Sequence, residues 1–382
     1  MNNKVIFHGK GGEFFGIWIV NILLSVVTLG IYSAWAKVRT KKYFYGNTEL
    51  AGDRFDYHAT PTQILIGRII AFVCVLIWAI ANATFPLVAS LLMLIFVGFT
   101  PILARNNARF DARMSSYRNV RFNFTGSVKG AYWAMMGAGL IGMIPLVFLA
   151  IITALVAAHS VVLVIICGIL TVAAYLFLFA YVSAAMTRYF ANGYQYGDRP
   201  FRAEISTEFF IKTILLGALM GAGLTIVMMA VAAIIAVVIA FLTMSSGEMG
   251  TVIDQFWFMV GGMSGMVYVI LLMAFIAVFV QVRVRNYTFA QLVVSGDPEY
   301  GFTSTVRTRS FVWLMITNFL AQAFSLGLAR AWVMVRTTRF LCEHTSVVGD
   351  LSLLTAKGEV MDEGAAIADE VASAFDIEMG LG

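Results

Sequence analysis

The chain has 382 residues, of which 60% are hydrophobic and only 12% charged, with a net charge of +5. A soluble domain carries about 25% charged residues, so the composition excludes an ordinary aqueous domain and points to an integral membrane protein. The three cysteines, Cys74, Cys167 and Cys342, have no local pairing or zinc-type spacing, which leaves no disulfide framework, metal site or cofactor to expect.

In chain order, the first apolar stretch is residues 14–36, interrupted by Asn21, Ser25, Thr28, Gly30 and Ser33. Lys4 and Lys10 precede it as in a signal sequence, but it is long and no small-residue cleavage site follows. Six cleaner runs come next, at about 64–83, 86–104, 131–157, 160–186, 213–242 and 256–282. Each approaches or exceeds the roughly 20 residues a helix needs to cross the hydrocarbon. Backbone groups in lipid must be satisfied within the segment, so these runs are helices. Gly217 and Gly221, then Gly261 and Gly265, place GxxxG on successive helices, a spacing that lets helices pack closely. A last stretch, 311–335, contains Asn318, Gln322, Ser325, Gly327 and Arg330.

The first and last stretches are copies. Asn21–Asp53 aligns without a gap on Asn318–Asp350 at a constant offset of 297, matching Leu29-Gly30, Ala34-Trp35 and Val38-Arg39-Thr40 with Leu326-Gly327, Ala331-Trp332 and Val335-Arg336-Thr337. Such self-similarity indicates one unit used twice.

Positive charge sets the topology. The gaps inside the three pairs of clean runs, 84–85, 158–159 and 243–255, hold no Lys or Arg. Cytoplasmic loops are the ones enriched in these residues, so the six runs form three hairpins entering from the cytoplasm. The repeated units are either full spans, giving eight spans with both termini outside, or re-entrant elements bent near Gly30 and Gly327. Their basic ends, Lys4 and Lys10 in one and Arg336, Arg339 and Lys357 in the other, favour re-entrant elements.

Each return to the cytoplasm carries Arg with Tyr or Phe, then a turn. Examples are Gly52-Asp53-Arg54-Phe55, Gly197-Asp198-Arg199-Pro200-Phe201 and Gly349-Asp350. The expected structure is a helix end, a turn and a short strand, together forming a small cytoplasmic collar. The expected fold class is therefore an all-α polytopic membrane protein: three transmembrane hairpins, two flanking homologous units and short β-like juxtamembrane segments. Residues 1–358 make the membrane domain. Residues 359–382 make an acidic tail with seven carboxylates and no Lys or Arg, and Ile367, Val371, Phe375 and Ile377 fall on one face of a short helix within it.

No phosphate-cradling glycine loop, HExxH or GxSxG is present, so no enzyme is expected. Arginines confined to helix ends argue against a nucleic-acid partner. They fit anionic lipid headgroups at the cytoplasmic face, or simple snorkelling at the interface. Candidate ligand or lipid contacts are Asn21, Trp35, Arg39, Asn318, Trp332 and Arg336. Asp56 and His58 form the nearest thing to an acid–base pair, though a turn-stabilising role is the simpler one. A cytosolic protein partner for the collar and tail is the competing expectation to transport, a channel or lipid handling.

The runs Phe15-Gly16-Ile17-Trp18-Ile19-Val20-Asn21, Thr28-Leu29-Gly30-Ile31-Tyr32-Ser33-Ala34-Trp35-Ala36-Lys37-Val38-Arg39 and Tyr43-Phe44-Tyr45-Gly46-Asn47-Thr48, with Phe55-Asp56-Tyr57-His58-Ala59-Thr60-Pro61, resemble the YjgN family of bacterial inner-membrane proteins. The resemblance extends to about residue 358. It implies a multi-pass inner-membrane protein and no particular activity. The C-terminal copy departs from the pattern at Ala329, Arg330 and Met334, where the first has Tyr32, Ser33 and Lys37.

Overall fold

The structure is a computed structural model that describes residues 1–243, 250–354 and 356. The chain repeats one supersecondary unit five times: a strand, two antiparallel helices and a second strand that pairs with the first. The first unit is β1 (Asn2–Phe7), α1 (Gly11–Val27), α2 (Ser33–Gly46) and β2 (Thr48–Leu50). The second is β3 (Asp53–Tyr57), α3 (Pro61–Thr84), α4 (Pro86–Met114) and β4 (Ser115–Tyr117). In the third, β5 (Val120–Phe124) leads into α5 (Val128–Tyr132), which passes through a π-turn at Trp133–Gly137 into α6 (Ala138–Val156). It closes with α7 (Val161–Ala191) and β6 (Tyr194–Tyr196). The fourth is β7 (Arg199–Ala203), α8 (Thr207–Thr243), α9 (Gly250–Gln291) and β8 (Leu292–Val294). The fifth is β9 (Tyr300–Ser304), α10 (Thr308–Phe324), α11 (Arg330–Glu343) and β10 (Thr345–Val348).

The ten strands pair antiparallel in sequence order and close into a barrel through β1 and β10. Tight turns link the units. Ala51-Gly52 and Arg118-Asn119 both take positive φ at two successive positions, the geometry that matches strand twist in two-residue hairpins. The juxtamembrane segments are thus two strands around a turn, where a helix end, a turn and one strand were expected. The all-α class is corrected accordingly: the β-like segments are a closed barrel. The N-terminal strand, β1, also had no counterpart among the expected elements.

Alternation along the strands separates two faces. Val5, Phe55, Phe122, Phe201 and Phe302 point into the barrel. Each lies opposite a partner on the second strand of its own unit: Leu50, Tyr117, Tyr196, Val294 and Val347. Arg54, Asp56, Arg121, Asn123 and Arg202 alternate with them. Hydrogen bonds from Tyr117 Oη to Leu50 O (2.8 Å) and from Tyr196 Oη to Tyr117 O (2.9 Å) tie β4 to β2 and β6 to β4 inside this core, each across one intervening strand.

Because each helical pair is inserted between two paired strands, all five hairpins leave the barrel and return to it. Consecutive helices pack side by side and α11 packs on α1, so the helices also form a ring. Six helical segments have membrane-spanning length and apolarity: Pro61–Thr84, Pro86–Met114, Val128–Val156, Val161–Ala191, Thr207–Val238 and Ser264–Gln291. The terminal units differ. α1 and α10 have 17 residues each, and α2 and α11 have 14 each, with helix bounds again offset by 297. At 1.5 Å per residue these helices reach only about 20–25 Å. Both pairs turn at the expected place: Leu29 and Gly30 have φ of 50° and 93°, Leu326 and Gly327 of 51° and 88°. In each bend the glycine N–H bonds back five residues, to Ser25 O at 2.7 Å and Gln322 O at 2.8 Å.

Gly217 and Gly221 face Ile276, Phe279 and Val280 of α9, as a close-packing role requires. The second GxxxG does not repeat this. A side chain at Gly265 would meet open space, because α9 meets the α8 glycines with branched and aromatic side chains nearer the barrel. Gly261 lies outside the described side chains, and the acidic tail with its apolar face lies outside the described residues.

Candidate functional site

Ten strands enclose more room than the roughly eight whose side chains fill a barrel. The lumen keeps an apolar cavity of about 170 Å³ among the inward rings. The segment after β10 closes one end of it: Leu351 is buried and Leu354 and Ala356 pack beside it. Arg118 holds that segment by pairing with Asp53 and donating to Leu351 O, and Tyr300 Oη donates to Asp350 O at 3.2 Å.

At the helical end lies a vestibule of about 510 Å³ that shares Phe55, Phe122, Phe201 and Phe289 with the lumen. Its walls come from four units: Tyr45 of α2, Asp111 and Ser115 where α4 becomes β4, Tyr194 of β6, and Gln281, Arg285 and Thr288 of α9. The second helix of each of these units runs almost directly into a strand, so its last turn is pinned at the barrel rim. Arg285 lies with its guanidinium 4.6 Å from the Phe289 ring centre and donates through Nη2 to Thr345 Oγ1 at 3.1 Å. Asp111 Oδ2 takes Lys41 Nζ at 3.3 Å. Three buried polar atoms of this vestibule have no hydrogen-bond partner in the chain: Asp111 Oδ1, Arg285 Nε and Thr288 Oγ1. Buried polar atoms are paired almost without exception, so the vestibule offers two donors and an acceptor to water or a ligand. Burial pushes the Tyr194 phenol up to about 12.

A second cavity, about 910 Å³, opens between the two short hairpins and α3. Asn21, Lys37, Lys41, Arg68 and Arg330 line it together with apolar residues of α1, α2 and α11.

Of the eight candidate contacts read from sequence, Asn21 alone lines one of these cavities. It is 4% exposed and accepts from Arg39 Nη1 at 3.3 Å. Arg39 also donates to Tyr32 Oη at 3.1 Å. In the other copy Arg336 Nη1 donates to Asn318 Oδ1 at 3.2 Å and Thr317 Oγ1 at 2.9 Å. Both arginines therefore clamp the two arms of their own hairpin. Trp35 packs on the core around Ala34, Val38 and Tyr57 and stacks on Tyr32 at 6.0 Å. Trp332 stacks on Phe15 at 4.5 Å, across the seam between the last and first units. Asp56 Oδ2 stands 3.8 Å from His58 Nδ1, and His58 Nε2 lies 2.8 Å from Ser116 Oγ on the next strand. Neither residue lines a cavity described above, and the contact ties β3 to β4. Sequence reasoning did not count Asp111, Arg285 or Thr288 among the candidate contacts, although Arg285 belongs to one of the basic collar segments. A signal for Asp111 was present: it is the one carboxylate between Arg105 and Arg121, a stretch with five arginines.

Six membrane-length apolar helices in a ring that stands on an antiparallel barrel define a polytopic membrane protein. The chain matches the family described as bacterial protein of unknown function (DUF898) over residues 2–374, and it belongs to that family. It is 26% identical over 361 residues to "Inner membrane protein YjgN" of Salmonella typhimurium, spanning 92% of this chain and 90% of the relative. The protein of the same name from Escherichia coli O157:H7 is 30% identical over 227 residues, covering 57% of this chain and 56% of the relative. That of Escherichia coli K12 is 36% identical over 133 residues, covering 35% and 33%. No solved structure matches the chain. The protein is a multi-pass protein of the bacterial inner membrane.

Proposed function

We propose that the protein handles an amphiphile on its axis, with the polar head in the vestibule and the apolar chains among the helices above it. One observation carries this reading: the outer parts of α3 and α8 are exposed all round. Phe72–Ile80 on α3 and Ile226–Val238 on α8 are exposed at every successive position. A run of more than two turns presents every face of a helix, so on α3 and α8 the side facing the axis is as apolar as the side facing out. Such a wall repels a water column and suits acyl chains, whereas an ion path needs polar or charged lining. The unpartnered atoms of Asp111, Arg285 and Thr288 sit where the apolar walls end.

The barrel faces the cytoplasm in this reading, because the Lys and Arg residues cluster at the barrel end of the helices. The short hairpins of the first and fifth units then enter and leave from that side as re-entrant elements. A thiol placed at position 54, on an outward barrel strand, should be labelled only in opened vesicles or from the cytoplasmic side. Labelling from the periplasm would refute this orientation.

Native mass spectrometry of gently purified full-length protein tests the axial site. The wild type should retain a defined amphiphile, and Arg285→Gln should lower retention about tenfold, as expected for loss of one charged hydrogen bond. Ion conductance in planar bilayers, with no retained amphiphile, would instead select a channel. The competing reading is a scaffold that binds a cytosolic protein through the basic collar and the 359–382 tail. Loss of a co-purifying protein on deleting that tail, with unchanged amphiphile content, would favour it.

A further inference from the structure

The three vestibule atoms that lack a partner in the chain stand on two opposed walls. Arg285 and Thr288 belong to α9, with Gln281 one turn further out, and spacings of four and three residues put all three on one face of that helix. Asp111 belongs to α4. The strands that follow these helices, β8 and β4, are separated in the barrel by three strands one way and five the other. The two helices therefore stand across the axis from each other.

The α9 wall donates. Arg285 Nη2 is tied to Thr345 Oγ1, while its Nε is buried and unbonded. Among the described residues this guanidinium pairs with no carboxylate. Thr288 is 5% exposed, and its hydroxyl is unbonded as well. A guanidinium beside a hydroxyl suits an oxyanion. The α4 wall accepts. Lys41 takes Asp111 Oδ2 at 3.3 Å and leaves Oδ1 buried and unbonded. A carboxylate oxygen offers only lone pairs, so whatever meets it brings an N–H or O–H. One head group that satisfies both walls carries an oxyanion and, apart from it, a donor. The walls also differ in height. Arg285 lies seven residues before β8, about 10 Å along α9, and Asp111 four residues before β4, about 6 Å along α4. The oxyanion is thus held nearer the apolar helices and the donor nearer the barrel. An amphiphile with its chains among the helices meets this order only if its oxyanion lies between chains and donor. A fatty acid ends in its carboxylate and has nothing to place on Asp111. A phosphodiester has acyl chains on one ester arm and an alcohol on the other.

We infer, on the axial reading above, that the vestibule selects a phosphodiester lipid whose head alcohol ends in a hydrogen-bond donor, a protonated amine or a hydroxyl. The phosphate sits against Arg285 and Thr288, and the donor reaches Asp111 Oδ1. A trimethylammonium head brings the charge of an amine but no hydrogen for that oxygen, which leaves a buried acceptor unsatisfied.

The test exchanges full-length protein into neutral detergent micelles holding equal amounts of competing lipids with identical acyl chains, and native mass spectrometry counts what is retained. In the ammonium series, phosphatidylethanolamine and its mono- and dimethyl forms should be retained alike. Retention should then drop about tenfold at phosphatidylcholine, where the last N–H is gone. In the hydroxyl pair, phosphatidylglycerol should exceed phosphatidylethanol about tenfold. A step in one set alone identifies the donor, and steps in both show that either serves. Asp111→Asn should shrink whichever step is found to about threefold, since a neutral acceptor makes the weaker bond. Arg285→Gln should lower every phosphodiester lipid about tenfold and leave the step in place, because all of them share the phosphate. Flat retention or an even decline with each methyl, together with no hydroxyl step, overturns the inference while the axial site stands if lipid is still retained. A step that persists at full size in folded Asp111→Asn protein overturns it too. Retention of no lipid at all removes both the inference and the axial site. If Asp111→Asn melts well below the wild type, the wild-type steps decide alone, since they need no variant.

Discussion

Inside the barrel, tyrosine hydroxyls convert side chains that fill space into side chains that also hold register. Tyr196 Oη reaches the backbone of β4, and Tyr117 Oη the backbone of β2. Tyr196→Phe keeps the volume and removes one such bond, so it should lower stability by about 1 kcal/mol, read by denaturant melts of the solubilised protein. Burial pushes the Tyr196 phenol up to about 12 from its ordinary 10. The folded barrel therefore favours the protonated phenol. Its contribution is whole below pH 10 and is lost as pH rises through 12, so tyrosinate absorbance and barrel unfolding should advance together across that window. Asn318→Leu should cost about 1 kcal/mol more than Asn21→Leu in the same melts, because only Asn318 gives up a donor bond as well as an acceptor bond. The sequence made Asn21, Asn318 and their arginines conspicuous by repetition. It did not reveal that all four bond across the arms of their own hairpins, since hydrogen bonding between two arms of a bend leaves no periodic trace. Arg285 and Thr288 were hidden for a related reason: on α9 they resemble any cation and hydroxyl at a helix end, and the cavity that gives them meaning is assembled from four units.

Among the elements, the bends were the most legible. The basic ends of the two flanking units favoured elements bent near Gly30 and Gly327, and the chain turns at both glycines. Their φ values near 90° lie in the region that favours glycine. Gly30→Ala and Gly327→Ala should each destabilise their hairpin by about 1–2 kcal/mol. Faster hydrogen exchange confined to α1 and α2, or to α10 and α11, is the expected sign. Leu29 and Leu326, beside these glycines, are 95% and 94% exposed, so each bend presents a leucine at its tip. The membrane helices were legible from length and apolarity to within a turn or so at most ends. The strands were not. Five of the ten have only three or four residues, too few for alternation to emerge, and β1 precedes the first apolar stretch with nothing beside it in sequence to pair with. Their turns were visible, which is why a collar was expected where a barrel stands.

For the whole molecule, closure is the property that local sequence could not disclose: β1 pairs with β10 across some 340 residues, through Asn3 and Val347. The charge map did announce its main consequence, that both ends of the membrane domain lie on one side. Gly349 N donates to Met1 O at 3.0 Å, so the start of the chain and the end of the barrel are within a bond of each other. A circular permutant that joins this seam and opens the chain at the Arg118-Asn119 turn should fold with an unchanged melting temperature, within about 1 kcal/mol of the parent in stability. Removing residues 1–7 should instead open the barrel, leaving one edge of β2 and one edge of β10 unpaired, and abolish a monodisperse product in size-exclusion chromatography. The seam also brings the two short hairpins together, because the first and fifth units are neighbours in the ring. Had the short pairs stood apart, each would have been a dent flanked by tall helices. Side by side, they lower two consecutive fifths of the rampart. A molecule diffusing in the plane of the bilayer would meet a palisade from most directions and a doorstep from one, with no hinge or lid needed to admit it.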